Sequence, residues 1–71
     1  MNGLPEITYE LTFYDLRGEI DSAQQHTDEA LARSILLLFD EPDSAELYSR
    51  ISLIAHDWRT GAEAELDALA F

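Results

Sequence analysis

Ser44 to Arg59 reads SAELYSRISLIAHDWR, and the fold turns on whether this stretch is helical. Leu47, Ile51, Ile54, Ala55 and Trp58 stand at offsets 0, 4, 7, 8 and 11, the repeat of one face of an α-helix. The spacing predicts an amphipathic helix over about residues 44–59, with Trp58 on its core-facing stripe. Just upstream, Pro42 cannot continue a preceding helix. Asp43-Ser-Ala-Glu46 then has the spacing of a capping box, with Asp43 as N-cap and Glu46 at N3.

Working outward toward the C-terminus, Thr60-Gly-Ala-Glu63 reads as a second capping box opening a last short helix through about Ala70. Leu66, Leu69 and Ala70 would form its apolar side. Glu63 and Asp67 would sit one turn apart with Glu65 nearby, a like-charge arrangement that slightly destabilises a helix.

Toward the N-terminus, Thr27 is the expected N-cap of a helix running to about Phe39, with Asp28 and Glu29 complementing the dipole in its first turn. Leu31, Ile35 and Leu38 share a stripe that Leu36, Leu37 and Phe39 widen, as in a core helix or one side of an oligomer interface. Asp40 and Glu41, beyond its end, oppose the dipole and have no local explanation.

Earlier still, ITYELTFYD over residues 7–15 alternates. Ile7, Tyr9, Leu11 and Phe13 point one way and Thr8, Glu10, Thr12 and Tyr14 the other, a half-buried strand. Leu16-Arg17-Gly18-Glu19 supplies a turn, and Glu19 to Gln24 returns as a second, weaker strand. A lone ribbon is marginal, so it must lean on helices or pair across a dimer. The fold expected is α+β: a short N-terminal antiparallel strand or hairpin packed against three helices, in a single domain over residues 1–71.

The charge balance is the outlying property. Fifteen Asp and Glu stand against Arg17, Arg33, Arg50 and Arg59, with no Lys, for a net charge of −11. Such a chain repels nucleic acid and anionic lipid and is drawn to basic surfaces. Acidity also serves solubility or adaptation to high salt, although the bulky apolar residues of ILLLF and ISLIAHDW argue against a halophile's thin core. With 46% hydrophobic residues the chain is too apolar for a disordered acidic tail. The absence of cysteine removes disulfides and thiolate metal sites and fits a reducing cytoplasm. The opening MNGLPEITYE has no cationic or long apolar targeting segment, and the run Ile35 to Phe39 falls far short of the roughly 20 residues of a membrane span.

Catalytic chemistry finds no signature: there is no nucleophile elbow, no Cys and no Gly-rich phosphate loop. His56 and Asp57 would diverge by roughly 100° on the expected helix and form no dyad. Asp40, Glu41, Asp43 and Glu46 are clustered oxygen donors, but they lack the EF-hand spacing and its central Gly. No enzyme, cofactor or dedicated metal site is expected.

The sharper hypothesis is an acidic decoy. Phosphates recur about every 3.4 Å along each DNA strand, while carboxylates one helical turn apart lie about 6 Å from each other. The candidate partner-binding acids are Glu10, Asp28, Glu29, Asp40, Glu41, Asp43, Glu46, Asp57, Glu63, Glu65 and Asp67. In size, acidity, lack of Cys and mixed plan, with FDEPDSAE and TGAEAELD as its most acidic passages, the chain resembles small phage-encoded anti-CRISPR proteins of the type I, DNA-mimicking class. The resemblance is of overall character and transfers no functional residue. It implies a non-enzymatic inhibitor in the cytoplasm of a bacterial host cell, blocking the basic DNA-binding surface of a type I CRISPR-Cas complex as a monomer or weak homodimer. The four arginines depart from a pure phosphate mimic, but Arg33 and Arg50 would pair with Glu29 and Glu46 one helical turn away. The alternatives are a small structural or dimerising, antitoxin-like domain, and an inhibitor that locks its target's conformation without touching the DNA channel.

Overall fold

A computed structural model describes residues 6–71; the expectation drawn from the opening Met1–Pro5 lies outside them. The chain runs β1 (Ile7–Tyr14), β2 (Ile20–His26), α1 (Glu29–Leu38), a short 3-10 helix (Pro42–Glu46), β3 (Arg50–Asp57) and β4 (Ala62–Ala70). The strands form one antiparallel sheet in the order β2-β1-β3-β4, with α1 across one face. No helix among the described residues is long and apolar enough to cross a membrane.

The N-terminal half follows the sequence pattern. The alternation of β1 sends Leu11 and Phe13 into the core. The expected return strand is β2, joined to β1 through a turn in which Gly18 takes φ 83°. Asp15 fixes that turn: its carboxylate accepts the N–H groups of Arg17 at 2.9 Å and Glu19 at 3.0 Å. The helix between β2 and the Pro42 region is also present, capped by Asp28 in place of Thr27. The Asp28 carboxylate accepts from the N–H groups of Ala30 and Leu31, two of the donors that a helix start leaves unsatisfied. Its buried stripe is Ala32 and Leu36, flanked by Ile35 and Phe39, whereas Leu31, Leu37 and Leu38 face outward.

The C-terminal half overturns the three-helix expectation. Where a helix over residues 44–59 was expected, the chain forms the 3-10 helix and then β3; where a last helix was expected, it forms β4. The reason is tertiary. β3 lies between β1 and β4, with Phe13 opposite Ile51, Leu11 opposite Leu53 and Ile51 opposite Leu69. Ile51, Leu53 and Ala55 also alternate at period two, and pairing on both sides satisfies every backbone group that a buried segment must satisfy. The capping boxes dissolve with their helices. Glu41, not Asp43, occupies the N-cap of the 3-10 helix and makes no side-chain capping bond. Thr60 instead shapes the β3–β4 turn, its hydroxyl accepting from the N–H of Ala62 at 3.2 Å while Gly61 takes φ 78°.

The core lies between the sheet and α1: Leu11, Phe13, Ala32, Leu36, Ile51 and Leu53. At one end an aromatic trio closes it. Phe13 packs edge-on against Phe39 at 5.1 Å and at a tilt against Tyr48 at 5.3 Å between ring centroids. Trp58, expected in the core, is instead 61% exposed. With residues 50–57 extended, His56 and Asp57 project to opposite faces, which again forms no dyad.

Candidate partner-binding surface

The second face of the sheet is not covered by α1. Alternation places Thr8, Glu10, Thr12 and Tyr14 of β1 there, beside Ser52, Ile54 and His56 of β3. Glu10 is its polar hub. Its carboxylate accepts the Gln25 amide of β2 at 2.8 Å and the Thr12 hydroxyl at 3.3 Å. His56 stands 3.3 Å from Glu10 through Nε2 and 3.0 Å from Glu63 through Nδ1. Trp58 stacks on the His56 ring at 5.5 Å and donates its indole N–H to the Thr8 hydroxyl at 2.8 Å. Arg50 pairs with Glu65 on the same face, not with Glu46. The Ser52 Oγ, 1% exposed with its residue, has no hydrogen-bond partner among the described residues.

The candidate acids therefore fall into two groups. Glu10, Glu63 and Glu65 share the open face, each against a basic side chain of β3. Asp67 lies on the helix side, because the β-bulge opposite Leu53 and Ile54 reverses the alternation of β4, and it reaches Arg33 at 3.9 Å. Glu29 pairs with Arg33 at 2.8 Å, as its spacing predicts. Asp57 accepts the N–H of Arg59 and flanks its guanidinium, with Glu6 on the other side. Asp28 is occupied as a cap.

The other group gathers at the opposite end of the sheet. Asp40, Glu41, Asp43 and Glu46 lie between α1 and β3, all exposed. The segment that follows them docks beside the β1–β2 turn: Ser49 donates its hydroxyl to the Asp15 carbonyl at 2.7 Å and its N–H to the Tyr14 carbonyl at 3.0 Å. That turn carries Asp15 and Glu19, and Asp21 follows at the start of β2. These three join the acidic end although they were not among the expected site residues; the Gly18 turn and return strand were the signal that could have placed them. The two segments contribute seven of the fifteen acids (Asp15, Glu19, Asp21, Asp40, Glu41, Asp43, Glu46) and one cation, Arg17.

Charge is thus segregated by pairing. Of the eight remaining acids, five stand within ion-pair distance of Arg33, Arg50 or Arg59, Glu10 and Glu63 lie against the two nitrogens of His56, and Asp28 caps α1. Among the described residues, only Glu19 at the acidic end has a cationic neighbour, Arg17 at 3.8 Å, and both side chains are exposed. Among the described residues no cluster of three His, Asp or Glu has an arrangement that would hold a metal ion. No family model, curated protein or solved structure matches the chain.

Proposed function

We propose that this chain is a non-enzymatic binding protein that presents its acidic end to a positively charged, nucleic-acid-binding surface, its carboxylates standing where phosphates would. One observation carries this reading: among the described residues, the carboxylates with neither an arginine nor a histidine beside them and no capping role are concentrated at one end, on the β1–β2 hairpin and the Asp40–Glu46 loop, while those elsewhere lie against Arg33, Arg50, Arg59 or His56 or cap α1. Exposed unpaired carboxylates repel one another and destabilise the fold that holds them. An external cationic surface offsets that repulsion. In its narrower form, taken from the resemblance in overall character, the surface is the DNA channel of a type I CRISPR-Cas complex in a bacterial cytoplasm.

The test is retention of the tagged protein's partner from a bacterial lysate with an active type I system, eluted by salt and challenged with double-stranded DNA. A basic complex released at moderate salt and displaced by DNA supports the reading. So does loss of retention in an Asp40→Asn, Glu41→Gln, Asp43→Asn, Glu46→Gln variant, with Glu63→Gln and Glu65→Gln having less effect because those carboxylates already face His56 and Arg50. Retention unchanged by the fourfold neutralisation sinks the acidic end as the contact surface. Binding that leaves DNA access intact turns the reading toward a conformational inhibitor, and no retention at low salt turns it toward a structural domain whose charge is solvation.

A further inference from the structure

The sheet has two edges, and they are defended differently. The parity of the ladder shows which backbone groups each edge leaves free. Trp58 donates its N–H to the Glu6 carbonyl at 2.8 Å, one step beyond the Ile7–Asp57 pair. Hydrogen-bonded and non-bonded pairs alternate along an antiparallel ladder, so Thr8, Glu10 and Thr12 direct their backbone groups at β3, and Tyr9, Leu11 and Phe13 direct theirs at β2. The Asp15 N–H, bonded to the Glu19 carbonyl at 2.7 Å, has the same parity. On β2, the partners of those residues, Ser22, Gln24 and His26, are therefore engaged with β1. Ala23 and Gln25 turn their N–H and C=O groups outward.

An exposed edge is a template for another strand, and charged side chains are a common means of blunting it. β4 carries Glu63, Glu65 and Asp67. A second β4 laid antiparallel about Ala64 would set Glu63 opposite Glu65 at both positions, all on the open face, and like charges directly opposite are destabilising. β2 reads IDSAQQH, with Asp21 its one carboxylate and no proline. In a chain of net charge −11, this edge is the one left unguarded.

We propose that the β2 edge binds β2 of a second copy of this chain, antiparallel, with the two-fold axis at Gln24, joining the two sheets into one. In this register Ala23 faces Gln25 of the other copy, so the outward N–H and C=O groups of each meet those of the other in reciprocal hydrogen bonds. Ser22 falls opposite His26 and Asp21 opposite Thr27, and no carboxylate faces another. The antiparallel arrangement also sends the two acidic ends in opposite directions along the strands, which limits the repulsion between two anionic bodies. Of the acidic end the pairing involves Asp21 alone, opposite Thr27, and it needs no cationic partner, so it stands independently of that function.

Sedimentation velocity from micromolar to millimolar protein, at about 0.15 M salt where the screening length is about 8 Å, reads the mass. Amide exchange of Ala23 and Gln25 by NMR reads the edge. The expected result is a rise to twice the monomer mass, with both amides becoming protected over the same concentrations. Ala23→Pro removes an outward N–H at an edge position where proline is tolerated, and Gln24→Glu sets two carboxylates together at the axis. Each variant should keep the wild-type circular dichroism and shift association to at least about tenfold higher concentration, the equivalent of about 1.4 kcal/mol. If Ala23→Pro does not fold, Gln24→Glu decides alone. A wild-type chain that stays monomeric throughout overturns the proposal. So does a dimer in which Ala23 and Gln25 still exchange freely, or one that Gln24→Glu leaves unweakened.

Discussion

Glu10 and His56, on the two central strands, meet at 3.3 Å on the open face of the sheet. Forty-six positions separate them in sequence. Through Gln25 on one side and Glu63 on the other, this pair links all four strands by side chains. The arrangement explains how the sheet face that α1 does not cover is held: a polar network centred on one carboxylate spans it.

Replacing that carboxylate should be felt. Glu10→Ala is expected to lower unfolding free energy by about 1–2 kcal/mol, since it strips Gln25, Thr12 and His56 of a charged acceptor at a partly solvated site. Glu10→Gln should cost less, because an amide still serves Gln25. Urea titrations monitored by far-UV circular dichroism check both, and equal losses would show that the charge contributes nothing.

Phe13 and Trp58 should respond in opposite proportion to their size. Phe13→Ala empties the middle of the aromatic trio and should cost about 3–5 kcal/mol, about half of the roughly 4–10 kcal/mol available to a chain of this length. Trp58→Ala, at an exposed side chain held by one hydrogen bond and one stacked ring, should cost about 1 kcal/mol. Thermal unfolding of the two variants gives the comparison directly, and a Trp58→Ala protein less stable than Phe13→Ala would contradict the packing described.

At Gly61 the cost of a side chain is purely conformational. Nothing lies within 4 Å of an added Cβ, while φ is 78°. Gly61→Ala is therefore expected to destabilise by about 1–2 kcal/mol and Gly61→Asn by less, since Asn tolerates this region. Equilibrium unfolding of the pair tests the order, and equal stability of all three proteins would mean the turn relaxes.

Asp40 and Glu41 follow the C-terminal end of α1, where negative charge opposes the dipole. Asp40→Asn and Glu41→Gln should each raise stability by about 0.3–1 kcal/mol at low salt, an increment that shrinks as ionic strength rises. Melting temperatures at two salt concentrations decide it. A gain that did not depend on salt would point away from electrostatics.

The last strand yields a prediction about context. Residues 62–70 read AEAELDALA, dominated by strong helix formers, yet they form an edge strand. A peptide of residues 60–71 in isolation should show no strand signature and should gain helix on addition of trifluoroethanol, by far-UV circular dichroism. A peptide that forms sheet alone would mean the preference is local after all.

Local chemistry in the sequence determined the N-terminal half of this protein. Period-two alternation in ITYELTFY, a Gly-centred turn and an acidic start to an apolar-striped segment are properties of neighbours, so strand, hairpin and α1 were legible without the rest of the chain. The net charge and the acidic character of the Asp40–Glu46 loop were legible for the same reason. Tertiary structure alone decided residues 50–57 and 62–70. RISLIAHD satisfies both periods at once, and its β-branched Ile51 and Ile54 suit either environment. A partner on each side settles the matter, because β3 is central and its buried backbone needs β1 and β4. β4 then becomes a strand against its own propensity, since a helix there would leave the edge of β3 away from β1 unpaired. The division of acids into paired and unpaired sets followed from the same step. Strand register, not sequence distance, brought Glu63 to His56 and Glu65 to Arg50, and the docking of Ser49 on Asp15 joined two distant acidic segments at one end.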